Sequence, residues 1–417
     1  MMPSLVLVAA ALLLLVLLLA GRRRFAPRPL AEVGFERRAV SGTDGGVTVS
    51  VVALGDDEAR QVSGVDLAGE GIQPVWVKVE NREPIGFVLP AMTIDREYYS
   101  AMEVAWQFHG WFTPARNARL DAGFRKHHLP MRVGPGDTIS GFVFTNLDAG
   151  VKHVGIELLG KGAQEVRRFN FLAHIPGLTA DFHALRDQKL YEPQEVQHLD
   201  SGGFRAWIEA LPPAVLGGDR KTPGDPLNVV FVSDQAVLFP ALVRQGWHVT
   251  EAISRGSVWR TVMSSILGRK YRYGPVSPLY VFGRPQDVAV QKARGNVDLR
   301  NHMRLWAAPV RVNGTQVWVG QISRDIGVRL TKKTITTHKI DPEVDAARWY
   351  LMQDMFYSQS LQRFAFAHGV GAATPEAPRG NYTGDPYWTD GLRLVMWLSS
   401  EPISYQRVES EGWVEPQ

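Results

Sequence analysis

The segments VTVSVVAL (47–54), IQPVWVKVEN (72–81), DTISGFVFTN (137–146), KHVGIELLG (152–160) and RRFNFLAHIP (167–176) share one pattern. Each alternates apolar positions and is rich in β-branched and aromatic side chains. A period of two sends successive side chains to opposite faces of a strand, so each segment needs a partner that buries one face. Turn-formers stand between them, as in Asn81-Arg82-Glu83-Pro84 and Gly134-Pro135-Gly136-Asp137. Short strands joined by turns predict an antiparallel β-sandwich-like domain over 45–178, interrupted by one helix near DREYYSAMEVAWQFHG.

Residues 179–224 are mixed, with a short amphipathic piece, Phe204 to Leu211, and a Pro- and Gly-rich linker. Beyond them the texture changes. LNVVFVSD (227–234) is a continuous apolar run, as expected of a strand buried on both faces. A helix over DQAVLFPALVRQGW, a short strand HVTEAI and a second helix, SVWRTVMSSILG, follow. Strands are then expected in PLYVFGRPQDVAVQKA, HMRLWAAPVRVNGTQVWVGQIS and VRLTKKTITTHKI, with Asn313-Gly314 as a hairpin turn, before a long helix from about Pro342. This order predicts an α/β or α+β C-terminal domain over 225–400 with a tail at 401–417, and an α+β chain overall.

The run SLVLVAAALLLLVLLLA (4–20) is uncharged and is followed by Arg22, Arg23 and Arg24. It is long for the apolar part of a signal peptide and no Lys or Arg precedes it, so residues 1–24 are expected to be a retained single-pass anchor, with 25–44 as a tether. The expected location is the inner membrane, and the arginines favour the cytoplasmic side for the bulk of the chain. The net charge of +4 comes without a basic stripe interleaved with aromatics, so nucleic acid is not an expected partner. The chain has no cysteine, which excludes disulfides, thiolate metal sites and a cysteine nucleophile. P-loop, Rossmann GxGxxG, HExxH and GxSxG signatures are absent as well.

DPLNVVFV (225–232), QGWH (245–248), GPVSPLYVFGRPQDVAVQK (274–292), HMRLW (302–306), VWVGQISRDIGV (317–328) and THKIDPEVDAAR (337–348) together resemble the LssY C-terminal domain family. That bacterial domain has no established biochemical role. The resemblance implies association with membrane machinery, and hence a protein partner in the membrane. It does not carry over a phosphatase mechanism.

THKIDPEVDAARWY (337–350) concentrates the candidate chemistry. Asp341 suits a helix N-cap, Pro342 the first helical position and Glu343 the first turn, where the helix dipole favours it. Asp345 and Arg348, three apart, can pair on one face. Capping leaves His338 unexplained. Upstream, His302 and Arg304 share one side of a strand, and Asp325 interrupts an apolar one. Two readings stay open. In one, His302, Asp325, His338, Asp341 and Asp345 hold a divalent metal for hydrolysis, with Arg304 or Arg348 binding an anionic group. In the other, the same residues form an ion-pair network joining sheet to helix. Arg284 in GRPQD suits a turn or a phosphate contact, and Asp385 and Asp390 in the tail are further candidates. The leading expectation is a membrane-tethered envelope protein acting as an interaction or ligand-binding module, with a metal-assisted hydrolase as the alternative.

Overall fold

The computed structural model describes residues 26–95, 98–148, 150–161, 165–176, 190–249, 278–293, 300–329 and 337–416. The chain divides into two compact units, residues 1–177 and 178–417. The expected anchor at 4–20 and the expected helix at 257–268 lie outside the described residues. Among the described residues no helix is long and apolar enough to cross a membrane.

In the first unit β1 (Val40–Asp44), β2 (Val47–Ala53), β3 (Ile72–Asn81) and β4 (Thr138–Asn146) form an antiparallel sheet in that order. A second sheet pairs β5 (Val151–Leu159) with β6 (Val166–His174), edged by the short strands Phe87–Val88 and Arg132–Val133. Val49, Val51, Val77 and Val79 meet Val154, Ile156, Phe169 and Phe171 in one core, the sandwich that the alternation predicts. The other face of the first sheet is also buried. There Trp76, Phe142 and Phe144 pack in a core with residues of α1 (Asp56–Ser63), α2 (Ala101–Gln107) and α3 (Pro114–His127).

The sequence led us to expect one helix after Asp95, and the structure has two. Ser100 opens α2 with a reciprocal capping box: its hydroxyl accepts from the Glu103 amide, and the Glu103 carboxylate accepts from the Ser100 amide. Residues 108–113 reverse the chain, and Pro114 opens α3 at a position where its fixed φ is preorganised. Only Leu120 and Phe124 of α3 are buried, which explains why apolar periodicity did not reveal it.

The second unit is built on one large sheet. Its strands run His248–Val249, β8 (Val288–Ala293), β9 (Arg300–Val312), β10 (Thr315–Arg329), β7 (Val229–Val232), β13 (Leu392–Leu398), β12 (Leu361–His368) and Glu409–Ser410. β11 (Thr337–Ile340) pairs with β10 and Gln197–Leu199 with β9. The apolar run around β7 is central, antiparallel to β10 and parallel to β13. Its neighbours are not the strand expected right after it, so the unit is α+β rather than α/β. Asn313 and Gly314 turn β9 into β10 with φ of 49° and 83°, the left-handed pair that the hairpin requires.

Both faces of this sheet are covered. Trp306, Val310, Val319, Val230 and Val395 pack with Phe204 and Ile208 of α4 (Ser201–Glu209). On the opposite face α6 (Val344–Tyr357) packs on β10, and Phe239 of α5 (Gln235–Arg244) meets Trp318 edge-on. The start of α6 differs from expectation. Glu343, not Asp341, is the N-cap residue, and the helix begins at Val344 rather than Pro342. Trp388 N–H donates to the Pro342 carbonyl at 2.8 Å, and Glu343 bridges to Trp388, so this stretch is held as extended chain. Asp341 instead accepts the Glu343 amide at 3.1 Å in an Asx turn.

Arg393 ties the layers together. Its guanidinium donates to the carbonyls of Ile208, Leu211 and Pro212 at the end of α4, to Leu227 before β7, and to Gly369. Burial pushes this guanidinium down to about 10, so the carbonyl cage holds a charge at some cost. A Cβ at Gly369, where φ is 127°, would overlap Arg393. Arg393→Leu strands these carbonyls without their donor. We expect it to lower the unfolding free energy by about 3–5 kcal/mol in urea titrations. A loss below about 1 kcal/mol would show that the clamp is dispensable.

Candidate functional site

β9 and β10 each carry three polar residues at a spacing of two, and the hairpin register sets them opposite one another. His302 pairs with Ser323 and Arg304 with Gln321, while Arg300 reaches Asp325 at the next position. Gln291 of β8 lies beside His302. All seven are buried, with exposures between 0% and 7%. They continue the face that carries Trp306 and Val319, so an apolar half of the sheet runs directly into a polar half.

The hydrogen bonds form two groups, which approach each other where His302 Nδ1 lies 3.3 Å from Asp325 Oδ1. Arg300 Nε donates to Asp325 Oδ2 at 3.0 Å and Nη1 to Gln291 Oε1 at 2.5 Å. Arg304 Nη1 donates to Gln321 Oε1 at 2.8 Å. Gln321 Nε2 donates to Ser323 Oγ at 2.8 Å and to Asp225 Oδ2 at 3.2 Å. Asn381 Nδ2 donates to the other Asp225 oxygen at 2.7 Å. Asn381 is half-buried at the foot of the exposed turn 382–384, so the network runs from the sheet interior towards the surface.

Proton bookkeeping orients the histidine. Ser323 Oγ has one proton and lies 2.8 Å from His302 Nε2 but 3.5 Å from Asp225. If the hydroxyl donates along the shorter contact, Nε2 accepts and a neutral ring carries its proton on Nδ1, which is 3.3 Å from Asp325 Oδ1. That Nδ1 atom makes no well-aligned hydrogen bond. Burial pushes the Arg304 guanidinium down to about 10; Asp225 and Asp325 oppose this shift, and Arg300 adds to it. Burial raises the Tyr387 hydroxyl, with Arg379 opposing and Asp225 reinforcing the shift.

Of the residues singled out from sequence, the structure brings His302, Arg304 and Asp325 together and puts Asp341, Asp345 and Arg348 elsewhere. Arg348 Nη1 and Nη2 clasp Asp390 at 2.9 and 2.5 Å, and Nη1 also donates to the Leu392 carbonyl. Asp345 accepts from the Thr389 hydroxyl at 2.8 Å and the Asp390 amide at 2.6 Å, and lies 3.4 Å from Arg348. These contacts lock α6 to the entry of β13. The sheet divides the two sets. Arg324, which alternates with Ser323 and Asp325, reaches the α6 carbonyl of Ala346, stacks over Tyr350 and lies 3.9 Å from Asp341. The backbone of His338 pairs with Val328, and its side chain lies outside the described residues. Among the described residues no group of three or more His, Asp or Glu could hold a metal.

Arg284 contacts Asp287, donates to the Tyr191 hydroxyl at 2.9 Å and the Ala307 carbonyl at 2.6 Å, and thus braces its turn. The residues missed from sequence are Asp225, Gln291, Arg300, Gln321, Ser323 and Asn381. Period two in 300–304 and 321–325 could have flagged three of them, Arg300, Gln321 and Ser323. Asp225 and Asn381 come from distant segments and had no local signal.

Burial, partly offset by Arg348, raises the Asp345 carboxyl above its ordinary 3.8. The folded state then binds a proton more tightly than the unfolded one. Stability from this group is complete below pH 3.8 and is lost as pH rises through the raised value. Asp345→Asn should flatten that part of the stability–pH curve, read by urea unfolding at successive pH values. An unchanged slope would remove Asp345 as its source.

No curated protein matches this chain. A family model described as LssY C-terminus matches residues 212–392, the segment that carries the whole polar row, and so supports assignment of this part of the chain to that family.

Proposed function

We propose that the second unit is the ligand-binding module of a membrane-tethered bacterial envelope protein, and that its ligand carries an oxyanion. The observation that carries this is the buried row of Arg300, His302 and Arg304 facing Asp325, Ser323 and Gln321. Two guanidiniums on one strand face, four residues apart, are costly to bury. Their donors suit planar or tetrahedral oxyanions, which arginine binds through several hydrogen bonds at once. Hydrogen bonds through Asp225, Gln321 and Asn381 link the row to the surface turn, and Ser323 and His302 supply further polar groups. The tether rests on residues 4–20 and Arg22 to Arg24, with the soluble region on the cytoplasmic side of the inner membrane and a protein partner in that membrane.

The test is a titration of the detergent-solubilised full chain with inorganic phosphate and with acetate, followed by thermal unfolding. At a hundredfold excess over Kd, a bound anion should stabilise the fold by about 2.7 kcal/mol. Arg304→Gln should weaken binding at least roughly tenfold, about 1.4 kcal/mol. Equal shifts in wild type and variant, or none in either, would refute the reading.

The order Ser323–His302–Asp325 supports a second reading as an acyl hydrolase. The hydroxyl would attack a carbonyl carbon and pass its proton to His302 Nε2, then on to the leaving alcohol, with Asp325 holding the Nδ1–H tautomer. Ser323 is fully buried and already hydrogen-bonded, so this reading stands second. A fluorophosphonate probe should then label the wild type and not Ser323→Ala; an unlabelled wild type would dismiss it.

A further inference from the structure

The first unit holds aromatic rings out in solvent on a braced scaffold. Trp111 is 95% exposed, Phe112 86% and Trp106 72%, all at the end of the hairpin formed by α2 and α3. Their exposure does not come from a loosely held turn. Asn117 accepts from the Gly110 amide at 3.0 Å and donates to the Gly110 carbonyl at 2.8 Å. Arg116 donates to the Phe108 carbonyl at 2.7 Å, and His109 Nε2 lies 2.8 Å from Asp121. Local polar groups therefore fix the turn while its largest apolar side chains face outward. Met102, one helical turn before Trp106, is exposed too and extends the stripe down α2.

The charges around this tip select its partner. Arg116, Arg119, Arg125, Lys126 and Arg132 stand against only Glu103 and Asp121 between residues 101 and 132. Both acids are engaged, Glu103 at the Ser100 cap and Asp121 with His109. Arg119 is exposed and lies five residues into α3, about 7.5 Å below its start at 1.5 Å per residue. A tip inserted about 5–10 Å into the acyl boundary would set such a residue among lipid headgroups. Tryptophan and phenylalanine at the point with arginine and lysine behind it is the arrangement of a bilayer interface rather than of an apolar protein groove.

We propose that the α2–α3 tip, with Trp106, Trp111 and Phe112 as its wedge and α3 as its basic collar, docks the first unit onto the surface of an anionic lipid bilayer. This contact is separate from any anchor at residues 4–20 and holds the unit against the membrane rather than merely near it.

The absence of cysteine makes a direct test possible. Full-length Phe112→Cys is labelled with an environment-sensitive fluorophore and reconstituted into phosphatidylcholine vesicles with or without phosphatidylglycerol. Glu70→Cys, at an exposed site in the same unit, is the control. The expected result is a blue shift of the Phe112 label with phosphatidylglycerol, quenching by lipids brominated near the headgroup, and no change at Glu70. Arg119→Glu with Lys126→Glu should abolish the shift. Three outcomes would overturn the proposal: no shift in either vesicle, a shift shared by the Glu70 label, or a shift that needs added membrane proteins.

Discussion

The antiparallel ladder between β9 and β10 is the constraint on which the second unit rests. The sheet is covered on both faces around this stretch, so Arg300, His302, Arg304, Gln321, Ser323 and Asp325 leave water when the unit folds. A buried donor or acceptor without a partner costs about 1–3 kcal/mol, and an unpaired charge costs more. The register meets this demand by setting Arg300, His302 and Arg304 against Asp325, Ser323 and Gln321. A slip of β9 by one residue would turn Arg300, His302 and Arg304 onto the α6 face and bring Met303 against Ser323 or Gln321, leaving both groups without their partners.

The same sheet keeps two polar systems apart. On one side Arg348, Asp345, Asp390 and Thr389 join α6 to the entry of β13, and each of these hydrogen bonds serves attachment. Of the ion-pair network weighed from sequence, Asp345 and Arg348 take part here, whereas His302, Arg304 and Asp325 do not. On the other side the row on β9 and β10 leads through Asp225 to Asn381 and the surface turn. A lock needs only its own members, whereas a set connected to the surface suits a ligand. Buried ionic groups are weak evidence for stability in themselves, because apolar replacements often hold a fold as well. Their burial on the β9–β10 face is the observation from which the recognition role is proposed.

The first unit breaks the ordinary rule in the opposite sense. There the core is saturated with valine, phenylalanine and tryptophan, and the departure is the exposure of Trp106, Trp111 and Phe112 on a turn braced by Asn117 and Arg116. Polar groups buried in one unit and aromatic groups exposed in the other are both locally unfavourable. Local rules give way at sites that serve something outside the fold.

Alternation by itself determined the long strands and the sandwich of the first unit, left-handed turn residues the Asn313-Gly314 hairpin, and element order the α+β class of the chain, because these are properties of local sequence. Alternation also put His302 and Arg304 on one face, since spacing along a strand decides which face a residue takes, whereas the larger set that joined Asp325 to Asp341 and Asp345 does not come together. Tertiary structure alone decided the rest. Which strand lies beside β7, which face α6 covers, and where Asp225 and Asn381 arrive all depend on contacts between distant segments. The start of α6 shows the limit most simply. Asp341 and Pro342 have every local credential for a cap and first turn, yet a hydrogen bond from Trp388 holds them as extended chain. A preference worth about 1 kcal/mol yields to a contact made by a strand segment more than forty residues away.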